Sequence, residues 1–495
     1  MSNALKVLKR GDWRNAANAV VEYDMFKDIK DFIESKEFPN SINIMKLITA
    51  PTGFGKSYVM RKKLVPFLMK ERKLQLVFVT YPDTAIFTSF EKKDMANKAG
   101  AILCEKMSEV MEYLEEDEDT KIIYTAHNCN FTTLKDLEKI KKYTSNIGII
   151  VDEAHSWMTS NVDNYKSNTG NATPDYEARL YKWSEEVANI SPYVFGFTAT
   201  ASPEQDDEYA GGKLSVMGGL DFKIITEWPH LNHIIERISY YDRVNFYDPS
   251  DEEQTVEALH HYLSDVQDCY FKKPYKKTSF LYAAPQNDKL GHNRDWILSE
   301  AADWIKENKV YNEDNINEHF TILTSDYTGF LKYKAKGIRN KGWDIEFADE
   351  QEVLKALNDD DHPALHCILI GKGQVGINVH TNKYQFSLRT TEKVREAEYG
   401  GGGIYGSSVQ RWGRMLRFNL GNNARKFEKE YKYSLPTYIK NLTDEEYEMF
   451  LEANTWNAVV PDTHMAKTAK DQLMEKQYCA SIAQARAYLD NLRLG

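Results

Sequence analysis

Leu47-Ile48-Thr49-Ala50-Pro51-Thr52-Gly53-Phe54-Gly55-Lys56-Ser57 reads as an apolar strand running into a glycine-punctuated loop that ends in Gly-Lys-Ser. A helical stretch follows, from Tyr58 to about Lys70. A loop of this kind turns its backbone N–H groups inward at the positive end of the next helix, and so cradles phosphates. Lys56 is placed to reach the β- and γ-phosphates, and the Ser57 hydroxyl to sit on Mg²⁺. The general pattern has Gly at its first position, where this chain has Ala50.

A second stretch complements the first. Asn146-Ile147-Gly148-Ile149-Ile150-Val151 is a continuous apolar run, the mark of a strand buried on both faces, and it ends in Asp152-Glu153-Ala154-His155. Asp152 at the strand tip can hold the Mg²⁺ that bridges the phosphates. Glu153 can orient and deprotonate the attacking water. One carboxylate for the metal and one for the water is the minimum that nucleotide hydrolysis requires. Taken alone, the run could be a strand capped by a solvated acidic turn; the glycine loop upstream favours the chemical reading.

Asp-Glu-Ala-His after such a phosphate loop resembles the superfamily 2 helicases and translocases of the DExH kind. Further motifs of that family can be matched in order. Gly196-Phe197-Thr198-Ala199-Thr200-Ala201 resembles motif III, and Gln410-Arg411-Trp412-Gly413-Arg414-Met415-Leu416-Arg417 fits the motif VI pattern Q-x-x-G-R-x-x-R. The stretch from Ile368 to Val379 resembles motif V, with Asn378 where the family often has Asp. Thr278 to Ala284 fits motif IV, and Val77 to Pro82 fits motif Ia. The resemblance covers roughly residues 45 to 420. It implies two RecA-like domains facing each other across an ATP cleft. Thr52, Gly53, Gly55, Lys56, Ser57, Gly376 and Asn378 would contact the nucleotide, with Ser57 and Asp152 on the metal. Lys56, Asp152, Glu153, Gln410, Arg414 and Arg417 would carry hydrolysis. Arg414 and Arg417 would act as fingers on the γ-phosphate, worth about 10³ to 10⁵ in rate. Thr80, Thr125 and Lys372 would touch nucleic acid. His155, Thr198 and Thr200 would couple the two sites.

Composition fits this picture. The chain has 495 residues, 42% hydrophobic and 28% charged, so two or three soluble domains are expected. No apolar run approaches the ~18 residues of a membrane helix, and the N-terminus lacks the apolar core of a signal peptide. The five cysteines lie far apart with no C-x-x-C, which argues against a zinc site or a disulfide framework and points to a reducing cytoplasm, or a nucleus. A net charge of −11 excludes only a uniformly basic surface, because a motor grips its strand in one local groove. Pro82-Asp83 with Glu91-Lys92-Lys93 imitates a nuclease motif, but its spacing is short and it sits where motif Ia belongs.

Apolar strands alternate with helical stretches through both halves. The pattern predicts strands over 45–50, 75–80, 121–125, 147–151 and 193–198, then over 278–283, 320–324, 365–370, 384–389 and 433–439. Amphipathic helices are expected over 294–308 and 350–358. The fold class is therefore α/β, with two tandem doubly wound parallel-sheet domains. Residues 1–40 form a helical N-terminal extension, 41–225 the first domain, 226–440 the second, and 441–495 a C-terminal extension of two or three helices open to protein partners. Gly211-Gly212, Gly218-Gly219 and the stretch to about Asp242 read as the linker. Gly400 to Gly403 reads as a flexible connector ahead of motif VI, or as a second phosphate-sensing loop.

Three functions compete: a helicase that unwinds or remodels duplexes, a non-unwinding translocase or ATPase subunit of a nuclease or remodelling complex, and a slow nucleotide-gated scaffold. The hydrolytic set argues against the scaffold. A wedge hairpin, for which 325–350 has the length, would favour unwinding. No Gln precedes Gln75, so the adenine-reading glutamine of one helicase branch is absent, and ATP follows from the resemblance alone. That absence, with the Thr-Ala-Thr form of motif III, leans toward DNA over RNA.

Overall fold

Strand β1 (Ile44–Thr49) is buried at every position but its first. One of those buried residues is a lysine. Lys46 Nζ donates to the carbonyls of Ser41 (2.5 Å) and Ile44 (2.8 Å) and lies 5.5 Å from the Phe38 ring centre. Burial brings its pKa down to about 7. A strand that tolerates this is held on both sides. β1 pairs in parallel with β6 (Val194–Thr198) and with β7 (Asp221–Ile224). The sheet continues through β5 (Ile147–Asp152), β2 (Leu76–Tyr81), β4 (Lys121–Ala126) and β3 (Ala101–Cys104). Its order is β3-β4-β2-β5-β6-β1-β7, with every pairing parallel. Helix α1 spans 25–34. The helix after the phosphate loop, α2, is α over Lys56–Tyr58, π over Val59–Leu64 and α again over Val65–Lys70. Pro66 has no N–H to give, so the regular ladder is lost there, and the widened turn lies just ahead of it. Helix α3 is Met107–Glu115.

The structure, a computed structural model, describes residues 25–42, 44–50, 55–81, 101–104, 107–115, 121–126, 146–152, 154, 191–198 and 221–225 of the first half. In the second half it describes 234–236, 238–271, 275–283, 293–308, 319–324, 328–333, 343–370, 379–388, 411–421, 424–431, 434–462, 466–467, 470 and 479–494. The described residues divide into two compact units, one holding 25–225 and the other 234–494.

The second unit holds an eight-stranded sheet of β8 (Tyr240–Tyr247), β9 (Thr278–Tyr282), β10 (Phe320–Leu323), β11 (Thr328–Tyr333), β12 (Trp343–Phe347), β13 (His366–Leu369), β14 (Asn382–Ser387) and β15 (Thr455–Pro461). Its order is β12-β11-β10-β13-β9-β14-β15-β8. Successive residues of a strand point to opposite faces, and both faces are covered. Leu281, Ile368 and Phe386 pack with residues of α4 (Glu252–Phe271) and α5 (Arg294–Glu307), among them Leu263, Ile297 and Trp304. Phe280, Cys367 and Leu369 pack with Val353 and Leu357 of α6 (Glu350–Asn358). This is the layering of a doubly wound α/β unit.

Four features differ from the sequence reading. First, the second sheet is mixed: β11 and β12 run antiparallel at one edge. Only residues 324–327 separate β10 from β11, too few for the crossover a parallel neighbour needs. Second, 433–439, expected as a strand, gives helix α8 (Leu435–Lys440), after α7 (Ala424–Lys429). Ser434 caps α8 by accepting from Thr437 N, and Pro436 in the first turn suits a helix start and not a central strand. Third, 441–495 contributes β15 between β14 and β8 as well as α9 (Asp444–Ala453) and α10 (Ile482–Leu494). Thr443 and Glu446 form a capping box that starts α9. Fourth, β7 lies within the stretch read as linker and β8 starts at its end, β7 in the first sheet and β8 in the second. Among the described residues no helix is long and apolar enough to cross a membrane.

Candidate nucleotide site

Ala50 closes β1 and ties it to motif III: its N–H donates to Thr198 O at 2.9 Å. Across the loop, Gly55 precedes α2 with φ +83°, a left-handed conformation that a side chain disfavours. Lys56 follows. It is buried, and its Nζ donates to Ala50 O at 2.8 Å, so the lysine bridges the two ends of the loop 51–54. Ser57 Oγ lies 3.4 Å from Asp152 Oδ2. Arg61 Nε donates to Ser57 O at 3.1 Å.

Asp152 is the last residue of β5 and is buried. One strand, β6, lies between β5 and β1, so the contact with Ser57 passes over the carboxyl end of β6. The turn after Asp152 is pinned by Ala154 N donating to Phe197 O at 2.9 Å. A Cβ added to Gly196 would stand 2.8 Å from Ala154 Cβ and 2.7 Å from Met45 Sδ. Only glycine lets that turn sit so close to β6. A glycine inside an apolar strand signals close approach, and Phe195-Gly196-Phe197 carried that signal without being read.

The carboxyl ends of the parallel strands collect the remaining described residues. Asp152 pairs in register with Phe197, Thr49 with Thr198, and Thr80 with Thr125 on neighbouring β2 and β4. This is the edge at which open α/β sheets bind ligands. Thr80, Thr125 and Thr198 are all buried.

In the second unit, motif VI is helical over 411–413 among the described residues and then leaves the helix. Arg414 is buried and Arg417 is partly buried. The Arg411 guanidinium lies 4.9 Å from the Tyr282 ring centre. Burial pushes the Tyr282 hydroxyl pKa up, while Arg411 and Arg414 pull it the other way, so both arginines flank this ring at the end of β9. Thr52, Gly53, Glu153, His155, Thr200, Lys372, Gly376, Asn378 and Gln410 lie outside the described residues. So do the glycine run 400–403 and the segment 334–342 of the expected wedge region.

The donor set at Ser57 and Asp152 fits a hard divalent cation. One hydroxyl and one carboxylate oxygen, 3.4 Å apart, are the hard oxygen donors that such a cation takes. The two oxygens are too far apart for a strong hydrogen bond.

Residues 23–203 match the family model described as Type III restriction enzyme, res subunit. The match takes in the phosphate loop, Asp152 and motif III, and it supports the resemblance to superfamily 2 helicases over this segment. Among solved structures, the chain is similar to the DUF1998 helicase MrfA bound to DNA and AMPPNP, at 9% identity and TM-score 0.47, covering 97% of this chain and 57% of that one. It is similar to the helicase Lhr of Mycobacterium smegmatis bound to ssDNA and AMP-PNP, at 11% identity and TM-score 0.44, covering 94% and 50%. For the Escherichia coli DEAH/RHA helicase HrpB the values are 10% and 0.42, covering 92% and 44%. The chain thus spans about half the length of these proteins. No curated relative matches the sequence.

Proposed function

We propose that this protein is a nucleic-acid-stimulated ATPase of the DExH kind that translocates on, and unwinds or remodels, DNA. The observation that carries the reading is the meeting of Ser57 Oγ and Asp152 Oδ2 beside buried Lys56, at the carboxyl edge of a parallel sheet. In this reading Lys56 leaves Ala50 O for the β- and γ-phosphates. Ser57 and Asp152 hold Mg²⁺, which supplies charge neutralisation between the phosphates when bound. Glu153 orients a water and takes its proton as the water oxygen bonds to the γ-phosphorus and the bond to the β–γ bridging oxygen breaks. Arg414 and Arg417 neutralise charge on the transferring group, and Gln410 contacts it. Gly376 and Asn378 add nucleotide contacts, and Lys372 with the β2 and β4 strand ends meets the nucleic-acid backbone.

The family match favours one alternative specifically. A model described by a restriction-enzyme subunit suits a translocase that serves a nuclease without separating strands itself. ATP hydrolysis against a panel of single- and double-stranded DNA and RNA, run beside a strand-displacement assay, tests both. DNA-stimulated hydrolysis with displacement supports the helicase. Duplex-stimulated hydrolysis without displacement supports the translocase, and stimulation by RNA alone overturns the DNA assignment.

A further inference from the structure

Motif VI leaves its helical turn after Gly413, so the following carbonyls lose intrahelical partners while staying buried. Buried carbonyls need other donors. Here they come from buried side chains and backbone of two strands and their flanks. Inside the turn, Arg411 O keeps Arg414 N as a donor at 3.1 Å, and Gln385 Nε2 adds a second at 2.5 Å. Lys383 Nζ donates to Met415 O at 3.0 Å and also to Arg417 O. Ser239, just ahead of β8, donates its N–H to Leu416 O at 2.7 Å and its Oγ to Arg417 O at 2.6 Å.

Lys383 and Gln385 lie two residues apart on β14, and both are fully buried. The pairing of β14 with β9 shifts register between Asn382 and Tyr384, an irregularity of the kind that re-aims a side chain. The carbonyls these two residues hold, at 411 and at 415 and 417, bracket Arg414 and include Arg417's own peptide.

We infer that Lys383 is a positioning residue for the motif VI arginines, with Gln385 as its second anchor. The inference rests on the proposed role of Arg414 and Arg417 in hydrolysis. A lysine is a costly choice for packing alone. Burial first, then the neighbouring Lys277 and Arg417, pull its pKa well below the ordinary value, so the charge is unwelcome there. Methionine would fill similar space without that cost, but it offers no donor. The amine keeps at least two N–H donors whether charged or neutral, so the clamp is not a pH switch. Nothing in the sequence of β14 announces this role, because it depends on a segment about thirty residues later.

The test measures steady-state ATP hydrolysis with poly(dT) present, and binding of a fluorescent ATP analogue, on the full chain. Lys383→Met should lose about 10- to 100-fold in kcat, the effect of a sub-ångström to 1 Å misplacement, while the analogue's Kd stays within about threefold. Lys383→Gln, which restores two N–H donors on a shorter stem, should recover part of the loss. The double variant Lys383→Met/Arg414→Ala should be no slower than Arg414→Ala alone. Gln385→Leu should show the same split between kcat and binding, and it carries the test if Lys383→Met does not fold. Wild-type kcat in a folded Lys383→Met, or in Gln385→Leu, overturns the inference, and so does full additivity in the double variant. Impaired Arg414→Ala beside normal Lys383→Met withdraws this inference alone. Normal Arg414→Ala withdraws the motif VI reading and this inference together.

Discussion

Gly196→Ala adds one methyl group where β6 passes under the turn that carries Asp152 and Glu153. The new carbon would meet Met45 Sδ at 2.7 Å, Ala154 Cβ at 2.8 Å and Leu47 Cδ1 at 3.1 Å. The Met45 sulfur lies near the end of a flexible chain and can swing aside. The Ala154 methyl is bonded to the main chain and cannot. Ordinary carbon contact begins at about 3.5 Å, so relief needs roughly 0.7 Å of backbone movement in the turn or in β6. The Ala154 N to Phe197 O bond resists that movement. Overpacking of this kind costs about 1–3 kcal/mol. For a unit of about 200 residues, each kcal/mol lowers Tm by about 2–4 °C, so the first unit should melt roughly 2–12 °C earlier. A shift of this size beside Glu153 should also cut kcat at least about tenfold. Analogue binding should change less, because Gly55, Lys56 and Ser57 are not displaced directly. Thermal melting, analogue binding and ATP turnover on the same preparation measure all three. A Gly196→Ala protein with wild-type melting and wild-type turnover would refute the argument that this turn is set by its approach to β6.

Arg414→Ala should leave ATP binding largely intact while hydrolysis falls by about 10³, and the nucleic-acid stimulation should fall with it; single-turnover hydrolysis with and without oligonucleotide reads both. Binding to unrelated single-stranded oligonucleotides should vary little with sequence and weaken steeply between low and moderate salt, because backbone-phosphate contacts carry the affinity; a titration at two salt concentrations checks this, and a flat salt response counts against a motor. Lys46, brought to a pKa of about 7 by burial, binds fewer protons folded than unfolded between pH 7 and its ordinary value near 10.5. Its burial penalty is therefore fully present below about pH 7 and is relieved as pH rises, by at most about 1.4 kcal/mol per pH unit. Urea melts at pH 7 and pH 9 should show wild type gaining stability relative to Lys46→Met; equal gains in the two proteins contradict it.

The parts of the fold that were legible in sequence are those set by local pattern. Strands β1, β2, β4, β5 and β6 are short apolar runs between helical stretches, and each was expected within a residue or two of its place. The same holds for β9, β10, β13 and, with a shift of two residues, β14. What was not legible depends on distant partners. β15 follows α9 with almost no connection, and only the company of β14 and β8 makes Thr455–Pro461 a strand. β3 and β7 are four-residue strands with no run long enough to stand out. The helix α8 was legible from Ser434 and Pro436, but its apolar residues were read with the period of a strand. At the site, Lys56, Ser57 and Asp152 were readable because each stands at a fixed offset from a strand end. Gly196 acts through a turn more than forty residues earlier, and Lys383 through carbonyls about thirty residues later. Gly196 marks a close approach without naming its partner, and the offset of Lys383 leaves no mark in one sequence.

The central claim is that the Ser57–Asp152 edge hydrolyses a nucleotide with Glu153 as base and Lys56 on the phosphates. The most direct measurement compares ATP binding and steady-state hydrolysis, with single-stranded DNA present, for wild type, Glu153→Gln and Lys56→Ala. The account predicts that Glu153→Gln binds ATP and holds it unhydrolysed, because Asp152 keeps the metal while the water loses its base, and that Lys56→Ala loses hydrolysis altogether. Wild-type turnover in either variant would contradict it.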